Sequence, residues 1–207
     1  MMQCRPDKLK PVLELFTETA LQIGEGQQYD MEFETRSDVT EDEYLEMIRL
    51  KTSVLLACAA KIGAILADAP DEDADNLYRF AEQVGLAFQL QDDYLDVYGD
   101  SKVFGKAIGG DILSNKKTYM LINAFNLANE EQKKELWHWI TAENPVPEEK
   151  IAAVTELYTK IGVDKLAEKK INFYFEQSRK YLEAVKVRAD KKHELETYTE
   201  NMMHRRK

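Results

Sequence analysis

Residues 85–117 read GLAFQLQDDYLDVYGDSKVFGKAIGGDILSNKK. Its first half keeps apolar side chains at Phe88, Leu90, Tyr94, Leu95 and Val97, the spacing of a packed helix rather than the alternation of a strand. On that helix Asp92 and Asp96 stand about one turn apart on one face, with Asp93 alongside. Like charges so placed repel, by roughly 0.2–0.5 kcal/mol per i,i+4 pair in an isolated helix, and apolar surroundings sharpen the effect. The cluster therefore calls for a cation.

The same three-and-four periodicity extends almost throughout the chain, and the hairpin dipeptides Asn-Gly and Asp-Gly are absent; an all-α fold is expected. Leu9, Val12, Leu13, Phe16, Ala20 and Ile23 form a first helical stripe, which Gly24 and Gly26 are expected to end. Residues 32–38 then read as a loop. Thr40 and Glu43 have the spacing of a capping box, opening a long helix through Tyr44, Ile48, Thr52 and Leu55 to about Asp68, where Pro70 stops it. A third helix runs from about Asp71 to about Gly99. Beyond the glycine-bearing loop, helices resume near Leu113, near Glu130, at Pro147 as a first helical residue, and from Val163 into the tail. Without a repeat or linker to divide it, residues 1–207 read as a single helical domain.

Composition narrows the function classes. With 207 residues, 44% of them hydrophobic, the chain is long enough for one core, and its formal net charge of -10 argues against nucleic-acid binding. Cys4 and Cys58 have no CxxC partner, which fits a reducing compartment. The longest apolar stretch, residues 54–67, contains Lys61 and is too short for a membrane span. A cytoplasmic protein is expected. His138, His193 and His204 have neither triad nor metal-ligand spacing and read as surface or packing residues.

A bare DDxxD is more often a solvated acidic helix face than a site. Here it has company. Magnesium takes hard oxygen ligands, is commonly held by one or two carboxylates, and shares its shell with substrate phosphates. Lys106 and Lys116 follow in and after the glycine-bearing loop, where backbone can approach a phosphate, and Lys51-Thr52 sits on the second long helix. Carboxylates with lysines describe a metal-bridged diphosphate.

Together these elements resemble the trans-isoprenyl diphosphate synthases, or polyprenyl synthetases, the group that contains farnesyl and geranylgeranyl diphosphate synthases. Phe88 to Asp96, FQLQDDYLD, is similar to the family's second aspartate-rich motif, and Gly105-Lys106, Asp111-Ile112 and Lys116 to the loop after it. Lys51-Thr52 resembles the diphosphate-contacting Lys-Thr pair, and Gly26 to Asp30, GQQYD, the GQxxD element. The order of the elements also fits.

The resemblance implies an antiparallel helical bundle of the isoprenoid synthase type and a prenyltransferase of isoprenoid biosynthesis. Such an enzyme condenses isopentenyl diphosphate with an allylic prenyl diphosphate, dimethylallyl, geranyl or farnesyl, releasing pyrophosphate. It implies Mg2+ at Asp92, with Asp93 and Asp96 completing or supporting the metal site. Lys51, Thr52, Gln89, Lys106, Lys116 and Asp111 would contact the allylic substrate or its diphosphate, supported by Gln27, Asp30 and Phe88. The basic end, Arg205, Arg206 and Lys207, is similar to a tail that closes over the second diphosphate; a disordered basic terminus is the alternative.

The family's first DDxxD and its arginines, which face the second motif across a cavity, are not found in this sequence. The resemblance thus implies a C-terminal portion of such an enzyme lacking the N-terminal helices, with half of the metal cage absent and activity of the chain alone in doubt. Apolar faces left uncovered would favour a homodimer or larger assembly. A non-catalytic helical subunit that binds a complete synthase is the competing reading, and a class I terpene cyclase a third. The cyclases' Asn/Ser/Glu metal motif is not found in the expected place.

Overall fold

A computed structural model describes residues 4–100 and 108–203. Among the described residues the chain forms ten α-helices and one π-helical segment, and no strand, as the periodicity predicts. α1 (Pro6–Thr35) has a proline in its first turn, where the missing N–H costs nothing. Its buried positions, Val12, Thr19, Gly26 and Phe33, repeat every seventh residue and mark a single face turned inward.

α1 corrects the sequence reading. The helix continues through Gly24 and Gly26 and absorbs residues 32–35 of the segment read as a loop, leaving residues 36–40 as the non-helical connection. The physical reason is tertiary. A Cβ at Gly26 would lie 2.5 Å from the backbone nitrogen of Lys51 and 2.9 Å from the carbonyl carbon of Leu50, so this glycine permits a close helix crossing rather than a stop.

α2 (Glu41–Ile48) opens on the predicted capping box: Thr40 Oγ1 accepts from the Glu43 N–H, and Glu43 Oε2 accepts from the Thr40 N–H at 2.9 Å. Instead of running straight to Asp68, it passes into a π-helical segment (Arg49–Ser53) and then α3 (Val54–Leu66). Asp68 takes a left-handed φ of 58°, and Pro70 precedes α4 (Asp71–Tyr98), whose bounds agree with the predicted third helix.

α5 (Gly110–Leu113) and α6 (Tyr119–Leu127) follow the glycine-bearing loop. Next come α7 (Glu130–Thr141) and α8 (Pro147–Ile161), which starts on Pro147 as predicted and ends at Gly162, φ 89°. The C-terminal helix predicted from Val163 is two, α9 (Val163–Ala184) and α10 (Ala189–Met203). At the break, buried Asp73 in the first turn of α4 accepts from the Lys186 N–H at 2.9 Å.

α4 is the axis of the bundle, packed along α9 and α3. Leu86, Ala87, Leu90 and Val97 enter a core with Tyr44, Ile48, Tyr119, Leu157 and Phe175. Phe80, Ala81 and Val84 enter a second with Ala57, Leu182 and Met202. Each larger apolar side chain buried this way contributes about 1.5–3 kcal/mol, which fixes the rotation of α4 and hence the direction of its aspartates. Among the described residues no helix is long and apolar enough to cross a membrane.

Candidate functional site

Asp92, Asp93 and Asp96 near the end of α4 have different surroundings. Asp93 is 4% exposed, and both of its oxygens are engaged: Tyr44 donates its hydroxyl to Oδ2, and Gln89 donates Nε2–H to Oδ1 at 3.3 Å. Gln89 Oε1 in turn accepts from Thr52 Oγ1 at 3.4 Å. Burial pushes the Asp93 carboxyl up to about 7, and Asp111 adds to this, whereas the bonds from Tyr44 and Gln89 and the charge of Lys116 oppose it. The Tyr44 phenol is pushed up by burial and by the carboxylates of Asp93, Asp111 and Asp30. Asp92 and Asp96, one turn apart, are only partly buried.

Asp96 anchors the loop that follows. Its backbone oxygen accepts from the Gly109 N–H at 2.6 Å, and its Oδ2 accepts from the Asp111 N–H at 3.0 Å, giving α5 the carboxylate acceptor that a helix start requires. Gly109 adopts φ 84°, and a Cβ there would meet Ile151 of α8 within 2.6 Å. Conformation and close approach both require glycine. Asp111 is thereby held near Asp93.

Lys51, Thr52 and Ser53 all belong to the π-helical segment. Such segments are uncommon and frequently sit at functional sites, because the extra residue per turn re-aims side chains. Two glycines clamp this one. Gly26 of α1 faces the backbone of Leu50 and Lys51, and a Cβ at Gly85 of α4 would stand 2.7 Å from the Cα of Ser53. Lys51 Nζ pairs with Asp30 Oδ2 of α1 at 2.6 Å, with Asp30 the more buried partner.

Lys116 lies in the turn after α5. With Ser114, Asn115 and Lys117 it forms one wall of a cavity of about 370 Å³, whose other wall is Asp30, Phe33 and Glu34 of α1. Lys117 Nζ donates to the backbone oxygen of Glu34 at 2.9 Å, fastening the turn to the carbonyl end of α1.

The fold thus brings Asp30, Lys51, Thr52, Gln89, Asp93, Asp96, Asp111 and Lys116 into one neighbourhood. Gln27 is exposed on α1, and Phe88 packs on the second core. Lys106, Arg205, Arg206 and Lys207 lie outside the described residues. Gln91, beside Asp92, donates to the backbone oxygen of Met203 at 3.3 Å, which ties the end of α10 to this turn of α4. Among the described residues no three His, Cys, Asp or Glu side chains converge as a metal centre. The available donors are carboxylate oxygens, the ligand type that suits magnesium when phosphate oxygens complete the shell.

Sequence reasoning missed the part played by Tyr44, read there only as a helix-face residue, and the π-helical distortion. The first had no signal short of tertiary structure.

The profile of the polyprenyl synthetase family matches residues 1–158. A geranylgeranyl diphosphate synthase of Methanosarcina mazei is 47% identical over 120 residues, covering 58% of this chain and 37% of that protein. A short chain isoprenyl diphosphate synthase of Methanocaldococcus jannaschii is 41% identical over 150 residues, covering 72% of this chain and 45% of that protein. Among solved structures, a geranylgeranyl pyrophosphate synthase superposes with a TM-score of 0.91 at 38% identity, over 98% of this chain and 63% of that one. The chain spans less than half the length of these two curated relatives.

Proposed function

Because this chain belongs to the polyprenyl synthetase family, we propose that it is the diphosphate-binding part of a prenyltransferase of isoprenoid biosynthesis. The reaction is condensation of isopentenyl diphosphate with an allylic diphosphate, dimethylallyl, geranyl or farnesyl, with loss of pyrophosphate. The observation that carries this reading is the meeting of Asp93 on α4 with Asp111 and Lys116 from the segment that follows it, both of which act electrostatically on the Asp93 carboxyl.

In this reading Asp92 and Asp96 hold Mg2+, which when bound neutralises the charge that develops on the departing diphosphate. Asp93, with both oxygens satisfied inside the bundle, holds Gln89 and Tyr44 in place behind that face. Lys116 and Lys51 bind diphosphate oxygens, Lys51 after exchanging its bond with Asp30; the family resemblance adds Lys106, which lies outside the described residues. Thr52 and Gln89, already bonded to each other, line the path of the allylic carbon with fixed dipoles, the preorganisation that lowers the barrier to forming positive charge. Asp111 orients Lys116 through the turn, where the Lys116 N–H bonds to the Asp111 carbonyl at 3.0 Å.

The whole of residues 1–207 acts as one helical unit in the cytoplasm. It associates, as a homodimer or larger assembly, through apolar side chains that α1 and α3 leave exposed, among them Leu13, Phe16, Leu55 and Leu66. Light scattering on the purified chain checks this; a cooperatively unfolding monomer contradicts it.

The assay is incubation with Mg2+, dimethylallyl or geranyl diphosphate and isopentenyl diphosphate. An elongated diphosphate supports the reading, and a hydrocarbon makes the protein a cyclase. Diphosphate binding without product assigns a part that needs further polypeptide to turn over, and absence of both overturns the reading.

A further inference from the structure

Lys150 is a buried cation that no step above uses. It lies in the first turns of α8, is 3% exposed, and its Nζ donates to Asn115 Oδ1 at 2.7 Å. Among the described residues the partner of its ammonium is this neutral amide, and burial, with no carboxylate contributing, pulls it below the usual lysine range. Lysine is rarely buried unless paired with an opposite charge, and here its ammonium has the neutral Asn115 amide as partner, where a methionine would fill the same space. Packing alone does not account for a lysine at this position.

The reason is at Asn115. That residue holds a left-handed φ of 53° between Ser114 and Lys116, a conformation for which asparagine is among the few tolerated side chains. Its amide is fixed at both ends: Oδ1 accepts from Lys150, and Nδ2 donates to the backbone oxygen of Ile140 at 3.1 Å. The adjoining residue of α8, Ile151, fills the space under Gly109, at the opposite end of α5. The start of α8 therefore underlies both ends of the segment that carries Asp111 and Lys116.

We infer that Lys150 is a positioning residue for diphosphate binding: through Asn115 it fixes the turn that sets Lys116 at the cavity wall. This rests on the proposed diphosphate site. Lys150 itself lies beneath the turn and touches no ligand. The chemical class it serves is a pyrophosphate-bearing ligand with its divalent cation, and its effect passes through Lys116.

Calorimetric titration of the full chain with magnesium pyrophosphate tests the inference, using Lys150→Met, Lys116→Met, the double variant and Asn115→Gly. Glycine keeps the positive φ and removes only the amide link, so it carries the test if Lys150→Met does not fold. Each support variant is expected to weaken binding about tenfold, the low end for removing a group one layer behind a ligand contact. Lys116→Met is expected to cost much less in the Lys150→Met background than in the parent. Unchanged affinity in both support variants, or effects of Lys116 and Lys150 that simply multiply, overturns the inference. If the parent binds and Asp92→Ala does not, while Lys150→Met and Asn115→Gly match the parent, this inference fails and the diphosphate site stands. If the parent takes up no pyrophosphate, both fail.

Discussion

Gly26 of α1 and Lys51 of the π-helical segment touch backbone to backbone: a Cβ on the glycine would fall 2.5 Å from the lysine nitrogen. No flexible side-chain end can yield there, so the crossing must shift or open. Gly26→Ala is therefore expected to cost about 1–3 kcal/mol through overpacking and to weaken diphosphate binding by displacing Lys51. Gly24, two residues earlier in the same helix, has nothing within 4 Å of its Cβ position. Gly24→Ala is expected to stabilise by about 0.5–1 kcal/mol, because glycine is a poor helix interior residue. Urea denaturation of the two variants should give opposite signs; equal signs would refute the close-crossing account of Gly26.

Asp93 should make metal-free stability depend on pH. Its folded carboxyl is raised to about 7, above the unfolded value of about 3.9, so the folded state holds the proton more tightly. Its contribution is then complete below about pH 4, is lost as pH rises from about 4 to about 7, and is level beyond. Asp93→Asn cannot ionise and should flatten that slope. Denaturation midpoints across the range, with chelator present, read this directly; a parent slope unchanged in the variant contradicts it.

Tyr44 closes the other side of that carboxyl. Tyr44→Phe leaves Asp93 Oδ2 inside the core without its donor, and an unmet buried acceptor costs about 1–3 kcal/mol. In the Asp93→Asn background the loss should differ, because the two side chains are one network. A double-mutant cycle on unfolding free energy that closes at zero would show Tyr44 to be ordinary packing.

Thr40→Ala removes one half of the capping box at α2, the hydroxyl that accepts from the Glu43 N–H, and leaves the bond from the Thr40 N–H to Glu43 Oε2. About 1 kcal/mol of stability is expected to be lost, with faster amide exchange at Glu43. Protection unchanged at that amide would mean that Arg36, which also binds Glu43 at 2.9 Å, holds the helix start without that hydroxyl.

Local chemistry made part of this legible in the sequence. The capping box at Thr40, the stop at Pro70, the start at Pro147 and the bounds of α4 each depend on a few neighbouring residues, and each is found where the sequence places it. Glycine is ambiguous in a way sequence does not resolve. Gly24 and Gly26 have the local signature of a helix end, yet the second is there because another helix's backbone crosses it. The π-helical segment is hidden for the same reason, since its cause is the clamp by Gly26 and Gly85 from outside the segment. The candidate site follows this division: Asp92, Asp96 and Lys51 carry motif spacing, whereas the contacts Tyr44 to Asp93 and Lys150 to Asn115 join residues 49 and 35 apart.

The most direct test of a working diphosphate site is calorimetric uptake of magnesium pyrophosphate by the parent and by Asp92→Ala. We expect saturable binding in the parent and a loss of tenfold or more, on the order of 1.4 kcal/mol, in the variant. Identical, negligible heats from both proteins would contradict the site, whatever the fold.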